Sequence, residues 1–157
     1  MTDRTLQHIK SLDIEIPPNL SPAANYIPYK IVGNLLYISG QTAKLNGKLM
    51  FEGKAGDTHC TNDAYNAARL CGLNIISQLS HALDGSLDRI KSCVRLNVYI
   101  NSVSDFADYA KVANGASDLM VEIFGDKGHH TRTAVGSSNL PSNSLVEIDA
   151  IFEVDNA

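Results

Sequence analysis

The 157-residue sequence predicts an α+β domain in which two long helices pack on one face of a mixed β-sheet. Apolar residues alternate along some segments and recur every three or four positions along others, in the order hairpin, long helix, strand, long helix, two strands. The length is that of one ordinary domain, so residues 1–157 are expected to fold together. Residues 1–25 are expected to form a helix followed by an extended arm.

The amino-terminal segment begins with a short predicted helix. Leu6, Ile9 and Leu12 have helical spacing, and Thr2 or Asp3 precedes them as a possible cap. The prolines of "IPPNLSP" prevent the helix from continuing and favour an extended arm. Two hairpins should follow, because Gly33-Asn34 and Asn46-Gly47 separate apolar runs and tolerate the positive φ of tight turns.

Two helices are predicted in the central half of the chain. The first runs from Thr61 to near Gly85, and the second follows the candidate cap Ser104 and stops at Gly125. The buried stripe of the first should comprise Ala64, Ala68, Cys71, Ile75, Leu79 and Leu83. The stripe of the second should comprise Phe106, Ala110, Ala113, Ser117, Met120 and Phe124.

The strand between the helices is predicted to have two unlike faces. Val94, Leu96, Val98 and Ile100 alternate with Cys93, Arg95, Asn97 and Tyr99, so the first set should face the helices and the second should face away. No further helix is available to cover the second face. Self-association of the chain is therefore expected to cover it.

The last two strands, within residues 130–154, are predicted to form a hairpin. Val146, Ile148, Ala150, Phe152 and Val154 share one face of the final strand, and Glu147 lies on the other. A turn centred in "LPSN" would place Arg132 on the same side as Glu147, whereas a one-residue slip would separate them. The sequence leaves both registers open.

The composition of the chain argues against several classes of partner and cofactor. The 13 basic and 17 acidic residues give a net charge of −4, which argues against nucleic acid or an anionic membrane surface as a partner. The three cysteines have no CxxC spacing and are expected to be buried thiols of a cytoplasmic protein. The histidines are scattered or adjacent, so neither a metal nor an organic cofactor is predicted.

Arg132 has two interpretations. It could form an ordinary surface ion pair with Glu147, worth about 0–1 kcal/mol. Alternatively, its planar guanidinium could bind the carboxylate of a small organic acid, and Glu147 could orient or deprotonate a water molecule.

The sequence resembles the RidA/YjgF family of enamine and imine deaminases, historically also called endoribonuclease L-PSP. The matching segments are "LLYISGQ" (35–41), "LDRIKSCVRLNVYINSVSDF" (87–106), "NGASDLMVEIFG" (114–125), "GHHTRTAVGSSNLP" (128–141) and "VEIDAIFEV" (146–154). "NGASDL" and the additional amino-terminal helix are similar to the longer, YjgF-like endoribonuclease branch. The resemblance implies a chorismate-mutase-like fold and a homotrimer whose sheets face inward, with clefts between subunits.

The resemblance also implies an activity: hydrolysis of reactive 2-enamino and 2-imino acids to 2-keto acids and ammonia, without a cofactor. Arg132 would hold the substrate carboxylate and Glu147 would position water, with Tyr29, Ser39 and Asn114 lining the cleft. Ala134 departs from the short family members, which carry a cysteine at that place. A non-catalytic protein that binds small carboxylates, another small-acid hydrolase or isomerase, and a ribonuclease remain the alternatives.

Overall fold

The computed structural model describes residues 3–155, which form three α-helices and seven strands. The helices are α1 (Arg4–Ser11), α2 (Thr61–Ala82) and α3 (Tyr109–Phe124). The strands are β1 (Tyr29–Val32), β2 (Leu35–Thr42), β3 (Lys44–Leu45), β4 (Lys48–Leu49), β5 (Ile90–Asn101), β6 (Thr131–Ser137) and β7 (Val146–Val154). Within residues 3–155, no helix is both long and apolar enough to cross a membrane.

The main sheet has the strand order β1-β2-β7-β5-β6. Strand β6 is parallel to β5 and the other neighbours are antiparallel, which confirms the mixed sheet. Helix α2 packs on β2 and β7, α3 packs on β5 and β6, and the two helices pack against each other. Strands β3 and β4 form a separate ribbon.

Local patterns account for most of these elements. Every member of the stripe predicted for α2 is buried. Gly33, Asn46 and Gly47 adopt the positive φ predicted for the two tight turns. Asp3 caps α1 by accepting a hydrogen bond from the Leu6 amide at 2.8 Å, while Thr2 lies outside the described residues.

Helix α3 begins later than predicted. Its amino-terminal cap is Asp108 rather than Ser104, and the Asp108 carboxylate accepts a hydrogen bond from the Thr61 hydroxyl at 3.0 Å. The chain before it makes a turn in which the Phe106 amide bonds to the Val103 carbonyl. Phe106 therefore lies outside the helix, where its ring packs edge-to-face on Tyr109. Gly125 ends the helix with a φ of 58°, as predicted.

Two side chains of β5 lie on the opposite faces from those predicted. The register with β7 shifts between Cys93 and Arg95, and this bulge places Cys93 in the core and leaves Val94 36% exposed. From Arg95 to Ile100 the predicted alternation of buried and less buried residues is observed. Cys60 also departs from its prediction, because it is exposed whereas the other two cysteines are buried.

The predicted carboxy-terminal hairpin is wrong. Strands β6 and β7 do not pair with each other, because β5 lies between them and bonds to both. The segment between β6 and β7 is therefore a crossover past the end of β5, in which Pro141–Asn143 form a short 3₁₀ turn. Neither register considered for Arg132 and Glu147 applies.

Candidate functional site

Arg132 lies in the edge strand β6, with its side chain on the face of the sheet that the helices cover. One terminal guanidinium nitrogen donates to Asn114 Oδ1 at 2.8 Å and to Ser117 Oγ at 3.1 Å. The other is 3.4 Å from the Ala110 carbonyl oxygen. Helix α3 thereby orients the guanidinium through three neutral oxygens.

No carboxylate of residues 3–155 forms an ion pair with Arg132. Because neutral hydrogen bonds leave the positive charge uncompensated, the guanidinium retains its capacity to bind an anion. A cavity of about 250 Å³ lies beside it, with Asp118 and Val121 among its other walls. The surface ion pair with Glu147 considered from the sequence is absent.

Sequence reasoning did not single out Ser117 as a functional residue. Its hydroxyl lies 2.8 Å from His130 Nε2, and His130 Nδ1 lies 2.7 Å from the Gly128 carbonyl oxygen. Ser117 follows Asn114 by three residues, so both face Arg132 from one side of α3. That spacing was the signal available in the sequence. Burial lowers the pKa of His130, which favours the neutral ring.

Glu147 lies in β7 on the face of the sheet that the helices leave open. It is half-buried and borders a cavity of about 430 Å³, formed by the amino-terminal arm, β2, the segment before β7, and Asn74 and Gln78 of α2. Burial raises the pKa of Glu147, and the neighbouring charge of Asp149 raises it further. The carboxylate is thus a stronger base than an exposed glutamate.

Gly40 leaves the space that the Glu147 carboxylate occupies. A Cβ atom at Gly40 would overlap Glu147 Oε1. The residue lies in a register irregularity of β2 between Ile38 and Gln41, where the strand departs from regular pairing with β7. The glycine of "SGQ" therefore permits the observed position of the carboxylate.

Tyr29 and Ser39 are not among the residues that line the cavity of Glu147. The Tyr29 ring packs edge-to-face on His81 at 5.9 Å, on the helix side of the sheet. The Ser39 hydroxyl donates to the Ile27 carbonyl at 2.8 Å and holds the arm against β2. Tyr26 lines the cavity instead. Roles of Tyr29 and Ser39 in binding stay predictions.

Arg132 and Glu147 lie on opposite faces of the sheet. Arg132 is opposite the buried Leu96 of β5, whereas Glu147 is opposite Tyr99, three residues further along the same strand. Because side chains of even and odd positions in this part of β5 point to opposite faces, one chain does not bring the two groups together. Asn114 lies beside Arg132 within the same chain, and its role in binding substrate stays a prediction.

Metal ligands are not clustered in the part of the chain that the structure describes. Residues 3–155 contain no group of three or more His, Cys, Asp or Glu side chains arranged to hold a metal ion.

Comparisons with known proteins identify the family. The profile described as "YjgF/chorismate_mutase-like, putative endoribonuclease" matches residues 7–154. Protein TCP17 of Trypanosoma cruzi is 40% identical over 154 residues, covering 98% of this chain and 96% of the relative. This level of identity over the whole length indicates a common fold throughout the two chains.

Two solved structures have the same fold over nearly the whole chain. The protein Atu1372 from Agrobacterium tumefaciens, of unknown function, is 41% identical with a TM-score of 0.90, covering 96% of this chain and 92% of its own. A "putative endoribonuclease" from Shewanella oneidensis is 37% identical with a TM-score of 0.92, covering 96% and 99%. The family profile and these similarities agree: the chain belongs to the RidA/YjgF family and has its chorismate-mutase-like α+β fold.

Proposed function

We propose that the protein hydrolyses reactive 2-enamino and 2-imino acids to 2-keto acids and ammonia. The observation that carries this proposal is the guanidinium of Arg132, which is oriented by Asn114 and Ser117 and has no acidic partner within residues 3–155. Arg132 is half-buried, and a guanidinium in such a setting is suited to bind a carboxylate through two parallel hydrogen bonds. Membership of the RidA/YjgF family supports the choice of reaction.

Glu147 supplies the second part of the proposed mechanism. An imine carbon is electrophilic, so a correctly placed water molecule can add to it once a base removes the water's proton. Glu147 borders a cavity large enough for a small organic acid, and its raised pKa makes it a better base. The resulting aminoalcohol loses ammonia to give the keto acid. Positioning of substrate and water can supply several kcal/mol of the required rate acceleration.

The two groups act together only if neighbouring copies share a site, and we propose the homotrimer of the family for this purpose. The open face of the sheet presents large apolar side chains: Tyr37, Val94, Tyr99 and Val135. A second copy packed on this face would remove them from water. The same packing can bring the edge strand β6 of one copy, with Arg132, towards the cavity of Glu147 in its neighbour.

The direct test is release of keto acid from freshly generated 2-aminoacrylate, measured against the spontaneous rate. We expect Arg132→Ala to weaken binding of substrate and of keto acids such as pyruvate. We expect Glu147→Gln to lower turnover by about 10²- to 10⁴-fold while keto acids still bind. If the wild type binds keto acids but does not accelerate hydrolysis, the protein is a carboxylate-binding protein and the proposal of catalysis is wrong.

Mixed trimers test whether the site is shared. Each inactive variant retains one of the two groups, so co-expression of Arg132→Ala with Glu147→Gln can recombine them at an interface. For random assembly, about one quarter of the sites would combine an intact Arg132 with an intact Glu147. We expect the mixed trimers to recover about one quarter of the wild-type turnover per site. Light scattering should give the mass of a trimer. No recovery from confirmed mixed trimers would contradict a shared site.

A further inference from the structure

The hydrogen bonds around Ser117 have the arrangement of an activated nucleophile. The hydroxyl Oγ is 2.8 Å from His130 Nε2, and His130 Nδ1 is 2.7 Å from the carbonyl oxygen of Gly128. A carbonyl oxygen only accepts hydrogen bonds, so His130 Nδ1 carries the proton. In the neutral ring, Nε2 is then the acceptor and the Ser117 hydroxyl must be the donor.

This is the order of groups that nucleophilic catalysis requires: a hydroxyl, a base within hydrogen-bond reach, and a third group that orients the base. His130 is half-buried, and its burial lowers its pKa, so the ring is a neutral base near pH 7. The third group is a backbone carbonyl, which fixes the tautomer without adding a charge.

Arg132 adds two properties to the pair. Its terminal nitrogen donates to Ser117 Oγ at 3.1 Å, so the positive charge stabilises negative charge that develops on this oxygen. Arg132 also has no acidic partner among residues 3–155, and it can attract a substrate that carries a carboxylate. Ser117 and Arg132 border the same cavity of about 250 Å³, which provides a place for such a substrate.

We propose that Ser117 and His130 form a nucleophile and base that accept acyl groups from small esters bearing a carboxylate. Ser117 Oγ forms a bond to the acyl carbon while its proton passes to His130 Nε2. The bond from the acyl carbon to the alcohol oxygen then breaks, and the alcohol leaves with the proton from His130. Water hydrolyses the acyl-serine in the same manner, and Oγ recovers its proton. This activity does not depend on the imine hydrolysis proposed above.

The test uses 4-nitrophenyl hydrogen succinate, an ester with a free carboxylate, and its neutral analogue 4-nitrophenyl butyrate. We expect release of 4-nitrophenolate with formation of a succinyl adduct on Ser117, located by mass spectrometry of the acid-quenched protein. Ser117→Ala should abolish the adduct. His130→Gln should slow its formation by about 10²- to 10⁴-fold, the usual contribution of a positioned base. The neutral ester should react more slowly than the anionic one.

His81 provides a matched control. It is exposed on α2 and does not border the cavity of Ser117, so His81→Gln should leave the acylation rate unchanged while His130→Gln lowers it. Circular dichroism and melting of each variant exclude loss of the fold as the cause. Acylation at other residues only, or equal rates in the wild type and in a folded His130→Gln variant, would overturn the proposal.

A second variant keeps the proposal testable if succinyl-serine does not accumulate. In a Cys60→Ser background, which removes the exposed native thiol, Ser117→Cys places a thiol beside His130 and Arg132. A neighbouring base and a positive charge lower the pKa of a thiol, so the introduced cysteine should react with iodoacetamide at neutral pH. Adding His130→Gln should slow this alkylation at least tenfold. Equal alkylation rates with and without His130 would show that no activation exists.

Discussion

The two faces of the main sheet differ in how completely the chain itself covers them. On the helix face, Leu96, Ile148 and Phe152 are fully buried beneath α2 and α3. On the other face, Tyr37 and Val135 are each 42% exposed, although they belong to the same sheet. The helix face thus contributes its stability within one chain, whereas the open face leaves large apolar side chains in contact with water.

The candidate chemistry is divided between the same two faces. Arg132 is held on the helix side by the polar side chains of α3, and Glu147 stands on the open side in its own cavity. One face therefore presents a permanent cation and the other a basic carboxylate. In the proposed trimer, the same contacts between copies would stabilise the open face and complete the imine-hydrolysis site.

Replacement of neighbouring residues in β7 tests this contrast most strongly. Phe152 is fully buried and packs edge-to-face on Phe124, so Phe152→Ala should lower the free energy of unfolding by about 3–5 kcal/mol. Ile151 lies next to it on the open face, and the effect of Ile151→Ala should depend on protein concentration because it weakens association. Urea unfolding at several protein concentrations measures both. A concentration-independent loss for Ile151→Ala would contradict the assigned role of the open face.

Gly40→Ala should separate stability from activity. The added methyl would overlap the Glu147 carboxylate, which is the end of a flexible side chain and can move away at small cost to folding. Displacement of the base by about 1 Å should lower imine hydrolysis by about 10²-fold. We expect the melting temperature to change little. Combining Gly40→Ala with Glu147→Gln should give no further loss of turnover, and an additive loss would indicate that Gly40 acts elsewhere.

Much of the fold follows from local sequence patterns. The stripe of α2, the turns at Gly33-Asn34 and Asn46-Gly47, and the stop at Gly125 depend on neighbouring residues, and all were predicted correctly. The pairing predicted for the carboxy-terminal strands is wrong because their common partner, β5, ends thirty residues before β6 begins. Apolar alternation identifies a strand and its faces, but it contains no information about which strand lies beside it.

The candidate site was only partly predictable for the same reason, namely that the sequence pattern does not reveal which elements lie side by side. Arg132, Glu147 and Asn114 could be singled out from residue chemistry and family resemblance, whereas their division between two faces depends on the strand order. The sequence pattern presents Ser117 only as a member of the apolar stripe of α3, because its interaction with His130 joins the helix to the residue that precedes β6. The bulge at Cys93 likewise reverses two side chains through pairing with β7, which the alternation along β5 does not reveal.

The smallest effect we predict concerns the pH dependence of imine hydrolysis. Burial is the larger cause of the raised pKa of Glu147, and the charge of Asp149 adds to it. Because the base must be ionised, kcat/KM should fall as pH decreases through the pKa of Glu147. Asp149→Asn removes the like charge, lowers the pKa of Glu147, and should move this acid limb to lower pH.

Glu153→Gln is the control for the Asp149 substitution, since Glu153 lies on the same face of β7 but does not contribute to the shift of Glu147. It should leave the acid limb in place, because Glu153 does not affect the pKa of Glu147. A shift seen only with Asp149→Asn would then result from removal of that neighbouring charge and not from a general loss of negative charge. The limb for Asp149→Asn should still lie above the usual range of a glutamate, because burial of the carboxylate remains. A limb that stays unchanged or moves to higher pH would remove Glu147 as the titrating base and with it the assignment of water activation to the open face.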